Sequence, residues 1–247
     1  MPLKEKIGLL KSWLLYYGNP AGRFRLRKFY SGFIGPGTLC FDVGAHLGNR
    51  TAVWLRSGAR VVAVEPQPAC IRYLRKKFGR HKRFTLFPGA LDSRVTEKTL
   101  HISSLNPAVS TLSDESWMSR MADAASFRLE WDSTTTVPTT TLDQLIAEHG
   151  IPGFCKIDTE GYELQVLQGL SVALPLLCFE VISVQKESVE PCIGHINALG
   201  DYEYNWSVAE SLRFRLPEWV NAAQVLKAIQ QYPSPLFSGD IYARRKS

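Results

Sequence analysis

One stretch near the N-terminus constrains the fold most: a buried strand, a turn with two glycines, a helix and a second strand. The first strand covers residues 38–41, Gly44 and Gly48 mark the turn, and the second strand covers residues 60–65 and ends at Glu65. Glycine lets the backbone approach a ligand closely because it has no Cβ. The turn also leads to a helix N-terminus, where unpaired N–H groups favour negative charge. The pattern predicts half of a nucleotide site, with Glu65 accepting both hydroxyls of a ribose.

The glycine spacing and the acid before it indicate which nucleotide binds. A dinucleotide fingerprint reads Gly-x-Gly-x-x-Gly, whereas three residues separate Gly44 from Gly48 and Asp42 closes the first strand. Asp42 would repel a pyrophosphate, but it suits the ammonium and sulfonium groups of S-adenosylmethionine. Because two glycines at this spacing are common in loops, the argument depends on Asp42 together with Glu65. We expect S-adenosyl-L-methionine rather than a nicotinamide cofactor.

Several motifs, in this order, resemble those of the FkbM-type S-adenosylmethionine-dependent methyltransferases. They are FDVGAHLG at residues 41–48, VEP at 64–66, TTLD at 140–143, KIDTEGYE at 156–163, and Phe179 with Glu180 at the end of a fifth strand. One residue departs from the pattern, because the family usually carries Asn where His46 stands. The resemblance implies a Rossmann-like class I methyltransferase fold. In that α/β fold, helices flank a mostly parallel sheet that has an antiparallel edge strand.

The resemblance and the turn together define the expected cofactor site. The expected contacts are Asp42, Gly44, Ala45, His46, Gly48, Glu65, Pro66, Ala90, Leu91 and Asp92. In the family, the stretch equivalent to the last three residues lies against the adenine. Asp92 would accept a hydrogen bond from the adenine amino group, or it would simply begin a turn.

The motif Lys156-x-Asp158-x-Glu160 predicts the acceptor side of the site. Alternate residues of a strand share a face, so Lys156 and Asp158 should lie together, with Asp158 near the transferring methyl. A nearby sulfonium and Lys156 should lower the pKa of Asp158, which favours orientation of the acceptor hydroxyl with late proton transfer. The alternative is that the pair only braces the strand end. We expect no metal, because Lys156 compensates the acids, although Asp158 and Glu160 together could hold a cation.

The implied activity is O-methylation of a hydroxyl on a small molecule: a sugar, a glycan or a secondary metabolite. A nucleic-acid-binding or nucleic-acid-modifying protein on the same fold is the alternative, because the chain carries a net charge of +6 and basic runs. The densest run, residues 75–83, joins a helix to the start of the third strand, opposite the ligand-binding face. We therefore expect it to be a solvated surface.

Two segments elaborate the expected methyltransferase domain, which covers residues 36–247. Residues 1–35 form a helical, basic extension, in which Ile7, Leu10, Leu14 and Tyr17 fall at helical spacing. We expect this stripe to pack on the domain, with peripheral membrane contact as the alternative. An insertion at about 97–140 should hold short strands at 99–102 and 127–131. Its aromatic and methionine residues would form a lid or anchor the insertion.

The remaining pattern fits one domain in a reducing, cytoplasmic compartment. The 5 cysteines show no CxxC pairing, so we expect buried free thiols. Thr141 and Gln144 should form a capping box at a helix that ends at Gly150. Toward the C-terminus we expect helices at 192–199 and 217–231 and strands at 202–206 and 240–243, the last two pairing as a hairpin at the sheet edge.

Overall fold

Strands and helices alternate through residues 2–234 and 237–246, which the computed structural model describes. The strands are β1 Leu39–Val43, β2 Arg60–Val64, β3 Phe84–Phe87, β4 Ala90–Leu91, β5 Thr96–Ile102, β6 Ser133–Thr140, β7 Phe154–Ile157, β8 Leu176–Ile182, β9 Tyr202–Val208 and β10 Ser238–Arg245. The helices are α1 Leu3–Tyr17, α2 Pro20–Tyr30, α3 Asn49–Arg56, α4 Pro68–Phe78, α5 Glu115–Ala124, α6 Leu142–His149, α7 Glu163–Gln168, α8 Val189–Leu199 and α9 Ala222–Gln230.

The main sheet has the strand order β3-β2-β1-β7-β8-β10-β9. Strands β1, β2, β3, β7 and β8 pair in parallel, whereas β10 is antiparallel to both β8 and β9. The predicted mostly parallel sheet with an antiparallel edge is confirmed: β9 is the edge strand and pairs antiparallel with β10. Helix α9, rather than a tight turn, lies between β9 and β10 in the chain. The inner place suits β10, because residues 239–243 are buried.

The centre of the sheet follows from the first motif. All five residues of β1 are buried, as expected for a parallel strand covered on both faces. Gly44 follows with a φ of 79°, and a Cβ there would overlap the carbonyl oxygen of Asp158. Gly48 has a φ of 70° and directly precedes α3. A Cβ at this position would overlap the side chains of Leu74 and Phe78. The two glycines thus let β7 and α4 pass close to the turn.

The N-terminal extension folds as two helices. Only the second, α2, places large apolar side chains in the core. Leu26 and Tyr30 of α2 are buried beside Trp54 and Phe154. The expectation that the stripe of α1 packs on the domain was wrong for Leu10 and Leu14, which are 58% and 54% exposed. It holds for Tyr17, which packs against the core and donates to the carbonyl of Leu47 at 2.8 Å. No helix among the described residues is long and apolar enough to cross a membrane.

The insertion forms a second sheet of order β4-β6-β5. The strand expected at 99–102 lies within β5, but the one expected at 127–131 was wrong. Because β5 ends at Ile102, opposite Ser133, residues 127–131 have no strand to pair with. Trp131 donates instead to the carbonyl of Val109 at 2.9 Å, so this aromatic residue anchors the insertion.

The remaining predictions concern a helix cap, a helix start and the cysteines, and they agree with the structure in most respects. Thr141 caps α6, but the side chain of Gln144 accepts from the hydroxyl of Thr140 at 2.6 Å, so the capping box is only half formed. Helix α9 begins later than expected because Val220 pairs with Tyr204 in an extended conformation. All 5 cysteines are free and buried, as expected.

Candidate cofactor and acceptor site

A cavity of about 440 Å³ lies at the carboxyl ends of β1, β2, β7 and β8. This is where ligands bind in open parallel sheets, and the volume falls within the range of ligand pockets, roughly 300–1,000 Å³. Of the expected cofactor contacts, its lining contains Asp42, Gly44, Ala45, His46, Glu65, Pro66, Ala90 and Leu91. All three expected acceptor residues, Lys156, Asp158 and Glu160, line it as well.

Glu65 follows the last residue of β2 and is 1% exposed. One carboxylate oxygen accepts from the backbone N–H of His46 at 2.7 Å, and the other accepts from that of Gln67 at 2.8 Å. Burial raises the pKa of Glu65 to about 7, although both N–H donors favour its ionised form. Each oxygen keeps a further lone pair, so the carboxylate is held rigidly and can still accept from a ligand.

Asp42 joins the end of β1 to the start of α3. It is 3% exposed and accepts hydrogen bonds from the backbone N–H and the hydroxyl of Thr51. Burial raises the pKa of Asp42, although the hydrogen bond from Thr51 and the charge of Arg50 oppose the shift. Asp42 therefore stabilises the first turn of α3 while its carboxylate remains part of the cavity wall.

His46 adopts a φ of 49° in the turn. This left-handed region is sparsely populated except by Gly, Asn, Asp and His, so the conformation accommodates both His46 and the Asn that is usual there. Its ring meets Tyr16 edge-on at 5.5 Å, and burial lowers the pKa of His46 to about 4. Neither ring nitrogen has a hydrogen-bond partner among the described residues. A neutral imidazole with unused polar atoms thus borders the cavity.

Two expected cofactor residues lie outside the cavity lining. Gly48 packs against α4 and does not line the cavity. The missing Cβ at this position allows the turn to pack closely against α4. Asp92 is 2% exposed, receives a hydrogen bond from Tyr162 at 3.2 Å and pairs with Lys98 at 3.5 Å. The side chain of Asp92 braces β4 against the turn after β7 and also accepts from the backbone N–H of Ser93 at 2.7 Å; its contact with adenine stays a prediction.

Lys156 is 1% exposed, and its ammonium group lies between two carboxylates. The distances are 2.6 Å from Nζ to Asp240 and 3.2 Å from Nζ to Asp158. Burial disfavours the charge on Asp158, but Lys156 and Arg50 outweigh that effect and lower the pKa of Asp158. The sequence analysis did not place Asp240 in the site. The one local indication is that an acidic residue lies among the buried residues of the final strand.

Three carboxylates converge beyond Lys156. Oxygens of Asp158, Glu160 and Glu180 all lie within 4.8 Å of one another. Burial and the neighbouring acids raise the pKa of both Glu160 and Glu180 well above the usual range. At neutral pH the group therefore combines an ionised acceptor, Asp158, with carboxyl groups that favour a proton, and it can hydrogen-bond several hydroxyls.

The turn that carries Glu160 is held from two sides. Glu160 and Gly161 adopt φ values of 53° and 91°. Within the motif, Glu163 accepts from the backbone N–H of Thr159 at 2.9 Å. From the insertion, the hydroxyl of Thr111 donates to the carbonyl of Glu160 at 2.7 Å. Glu163 is therefore a positioning residue, and the insertion forms part of the site.

Comparison with known proteins identifies this arrangement. A family model for the methyltransferase FkbM domain matches residues 42–205. The chain belongs to the FkbM methyltransferase family. No curated protein sequence matches the chain. The match to the family includes the cavity residues of β1, β2, β7 and β8, whereas Asp240 of this FkbM methyltransferase lies beyond it.

Solved structures of methyltransferases are similar to this FkbM methyltransferase. One is a TehB-like SAM-dependent methyltransferase from Corynebacterium glutamicum, with a TM-score of 0.49 and 11% identity over 98% of each chain. Another is precorrin-6y C5,15-methyltransferase from Geobacter metallireducens, with a TM-score of 0.48 and 9% identity over 91% of this chain and 87% of that one. A third is an rRNA methylase from Streptococcus thermophilus, with a TM-score of 0.43 and 10% identity over 90% and 94%.

The cavity of the FkbM methyltransferase fits S-adenosylmethionine chemically. It offers carboxylates at Glu65 and Asp42, which suit ribose hydroxyls and a positively charged tail, and apolar walls at Ala90 and Leu91. The unpartnered nitrogens of His46 provide polar capacity that the described residues leave unused. These groups lie on the β1–β2 side, whereas the three convergent carboxylates lie on the β7–β8 side.

Proposed function

We propose that this protein transfers a methyl group from S-adenosylmethionine to a hydroxyl oxygen of a sugar, a glycan or a secondary metabolite. The observation that carries this proposal is the group of three carboxylates within 4.8 Å, next to the cofactor side of one cavity. Carboxylates are hydrogen-bond acceptors for hydroxyls, and several in one place suit an acceptor with neighbouring hydroxyl groups.

On the cofactor side, we assign Glu65 to the ribose and Asp42 to the positively charged tail. Gly44, Ala45 and His46 would form the turn beneath it, and Pro66, Ala90 and Leu91 would cover the base. When bound, the cofactor supplies an electrophilic methyl group, and the protein binds and orients the reactants. Gly48 and Asp92 support this wall from outside the cavity.

On the acceptor side, Asp158 is the proposed catalytic residue. Its side chain is 23% exposed, although it pairs with the buried Lys156. A lowered pKa makes Asp158 a good hydrogen-bond acceptor but a weak base. It would orient the acceptor hydroxyl and take up its proton late, as the oxygen bonds to the methyl carbon. Glu160 would hold a neighbouring hydroxyl.

We propose that the reaction needs no metal ion. Lys156 already places a positive charge between Asp158 and Asp240, and a proton on Glu160 or Glu180 would reduce the repulsion further. The same three carboxylates have the ligand chemistry that magnesium uses, so the experiment must include a chelator.

The position of the densest basic run does not favour a nucleic-acid acceptor, although Arg23, Arg25 and Arg50 line the cavity. The densest basic run ends α4 and continues to Arg83, just before β3 begins, whereas the cavity lies at the opposite, carboxyl ends of the strands. A long polyanion bound at that run would not reach Asp158.

The proposal is tested with methyl-labelled cofactor and fractionated cell extract, followed by analysis of the labelled product. We expect an alkali-stable methyl ether on a hydroxylated small molecule or glycan. Loss of that product in Asp158→Asn, with cofactor binding intact, would support the assignment. Label on a nitrogen, a carbon or a nucleic acid would contradict it.

A further inference from the structure

Helix α1 contacts the rest of the protein through a small and polar face over most of its length and through Tyr16 and Tyr17 at its end. Gly8 and Ser12 are its buried residues. Because Gly8 has no side chain, the helix backbone lies directly against Ser104. Beside this contact, Glu5 pairs with Arg72 at 3.5 Å. These interactions fix which side of the helix faces the protein.

The opposite face of α1 is apolar and exposed. The exposed fractions are 73% for Leu3, 40% for Ile7, 58% for Leu10, 41% for Trp13 and 54% for Leu14. At 3.6 residues per turn these side chains fall within about 120° of the helix circumference. A surface helix normally turns such a stripe toward the core, so the orientation of α1 is the reverse of the usual one. Exposed apolar patches of this kind mark interaction surfaces.

Basic residues accompany this stripe. Lys6 falls within it, and Lys11 and Lys4 lie along one side, all three exposed; Lys4 also pairs with Asp132 at 3.7 Å. Residues 1–35 contain seven Lys and Arg residues and a single acid, Glu5, whereas residues 36–247 contain 22 of each sign. The whole net charge of +6 therefore belongs to this segment, and the only acid in it faces Arg72.

We propose that the exposed face of α1 binds the surface of an anionic lipid membrane. An apolar stripe with Trp, accompanied by lysines, is the composition of helices that lie in a membrane interface. A second copy of the protein is disfavoured because two such faces would bring their lysines together. A nucleic acid would pair with the lysines but leave the stripe in water.

The two N-terminal helices also contribute to the cavity wall, because Leu15 of α1 and Arg25 of α2 line it. Leu15 and Phe24 of the same segment are 71% and 70% exposed. The proposed membrane binding is independent of the proposed methyl transfer and is measured without it.

The test is flotation of the full chain with vesicles of phosphatidylcholine alone and with one quarter phosphatidylglycerol. We expect binding to the anionic vesicles at least tenfold tighter than to the neutral ones, because each lysine near the surface contributes about fivefold. Lys6→Gln with Lys11→Gln should remove most of that difference. Leu10→Glu with Leu14→Glu should weaken binding to both kinds of vesicle at least tenfold.

Ile151→Glu is the matched control, because Ile151 is 57% exposed but lies just before β7, at the end of the sheet away from the cavity. It should bind vesicles like the wild type. Brominated lipid should quench the fluorescence of Trp13, and Trp13→Phe should lose that quenching. All variants should keep their circular dichroism, since the changed side chains are exposed.

Three results would overturn the proposal. The first is failure to bind anionic vesicles, and the second is unchanged binding by the Leu10→Glu, Leu14→Glu variant. The third is a dimer in the absence of lipid that the same variant converts to a monomer, which would assign the face to a second copy of the chain.

Discussion

The buried ammonium of Lys156 offers a quantitative test of how the site is held together. In Lys156→Met the shape is nearly kept, but Asp240, with a side chain 8% exposed, loses a partner at 2.6 Å and Asp158 loses one at 3.2 Å. Removing one partner of a buried ion pair typically costs about 3–5 kcal/mol, because the other charge is left uncompensated. For a chain of this length that corresponds to a fall in melting temperature of about 6–20 °C.

The loss should depend on pH in a defined direction. In the wild type the pKa of Asp158 is lowered, so its contribution to stability is present above the unfolded-state pKa and is lost as pH falls through the folded-state value. Without Lys156, the pKa of Asp158 would rise, because the desolvation of this carboxyl would lose its largest opposing charge. The difference in stability between variant and wild type should therefore be largest at neutral to alkaline pH and shrink toward pH 4.

Urea unfolding from pH 4 to pH 8, followed by circular dichroism, measures both effects. Lys246→Met is the control: Lys246 also pairs with an acid, at 3.1 Å from Asp201, but the two side chains are 47% and 73% exposed. Such exposed pairs are worth about 0–1 kcal/mol. A loss below about 1 kcal/mol for Lys156→Met at pH 8 would refute the reasoning, because it is too small for a broken buried ion pair. A loss that grows on acidification would refute it as well, because the opposite trend is expected.

Four further predictions concern the cofactor, the acceptor, the metal and the turn. Glu65→Ala should weaken S-adenosylmethionine binding at least tenfold, because a hydrogen bond to a charged group contributes about 1.5–3 kcal/mol; calorimetry with the exposed Glu97→Ala as control measures this, and equal affinities would remove Glu65 from the site. Asp158→Asn should lower turnover by about 10²–10⁴-fold with nearly unchanged cofactor affinity; wild-type turnover in a folded variant would leave Asp158 only a bracing role. Activity should persist in a chelator, and its loss with recovery on adding magnesium would establish a metal site. His46→Asn should keep stability within about 1 kcal/mol because Asn tolerates the left-handed conformation, whereas His46→Val should cost about 1–3 kcal/mol; thermal melts of both variants compare them.

The parts of the site that lie within one short segment follow from local sequence patterns. A strand, a turn and the following strand carry Asp42, Gly44 and Glu65. The pattern of buried runs and glycines places these residues at the carboxyl ends of the two strands. Lys156 and Asp158 are two residues apart on a strand, so their shared side follows from strand geometry. The family motifs cover the same local units.

Contacts between segments distant in sequence depend on how the elements pack in the folded chain. Asp240 reaches Lys156 from 84 residues away, because β10 enters the sheet next to β8. Asp92 is turned toward Tyr162 and Lys98, and the exposed face of α1 follows from the close approach of Gly8 to Ser104. A periodic pattern shows that a helix has an apolar stripe, but it does not show which face of the helix packs against the rest of the protein. That choice depends on the shape and charge of a surface that exists only once the rest of the chain has folded.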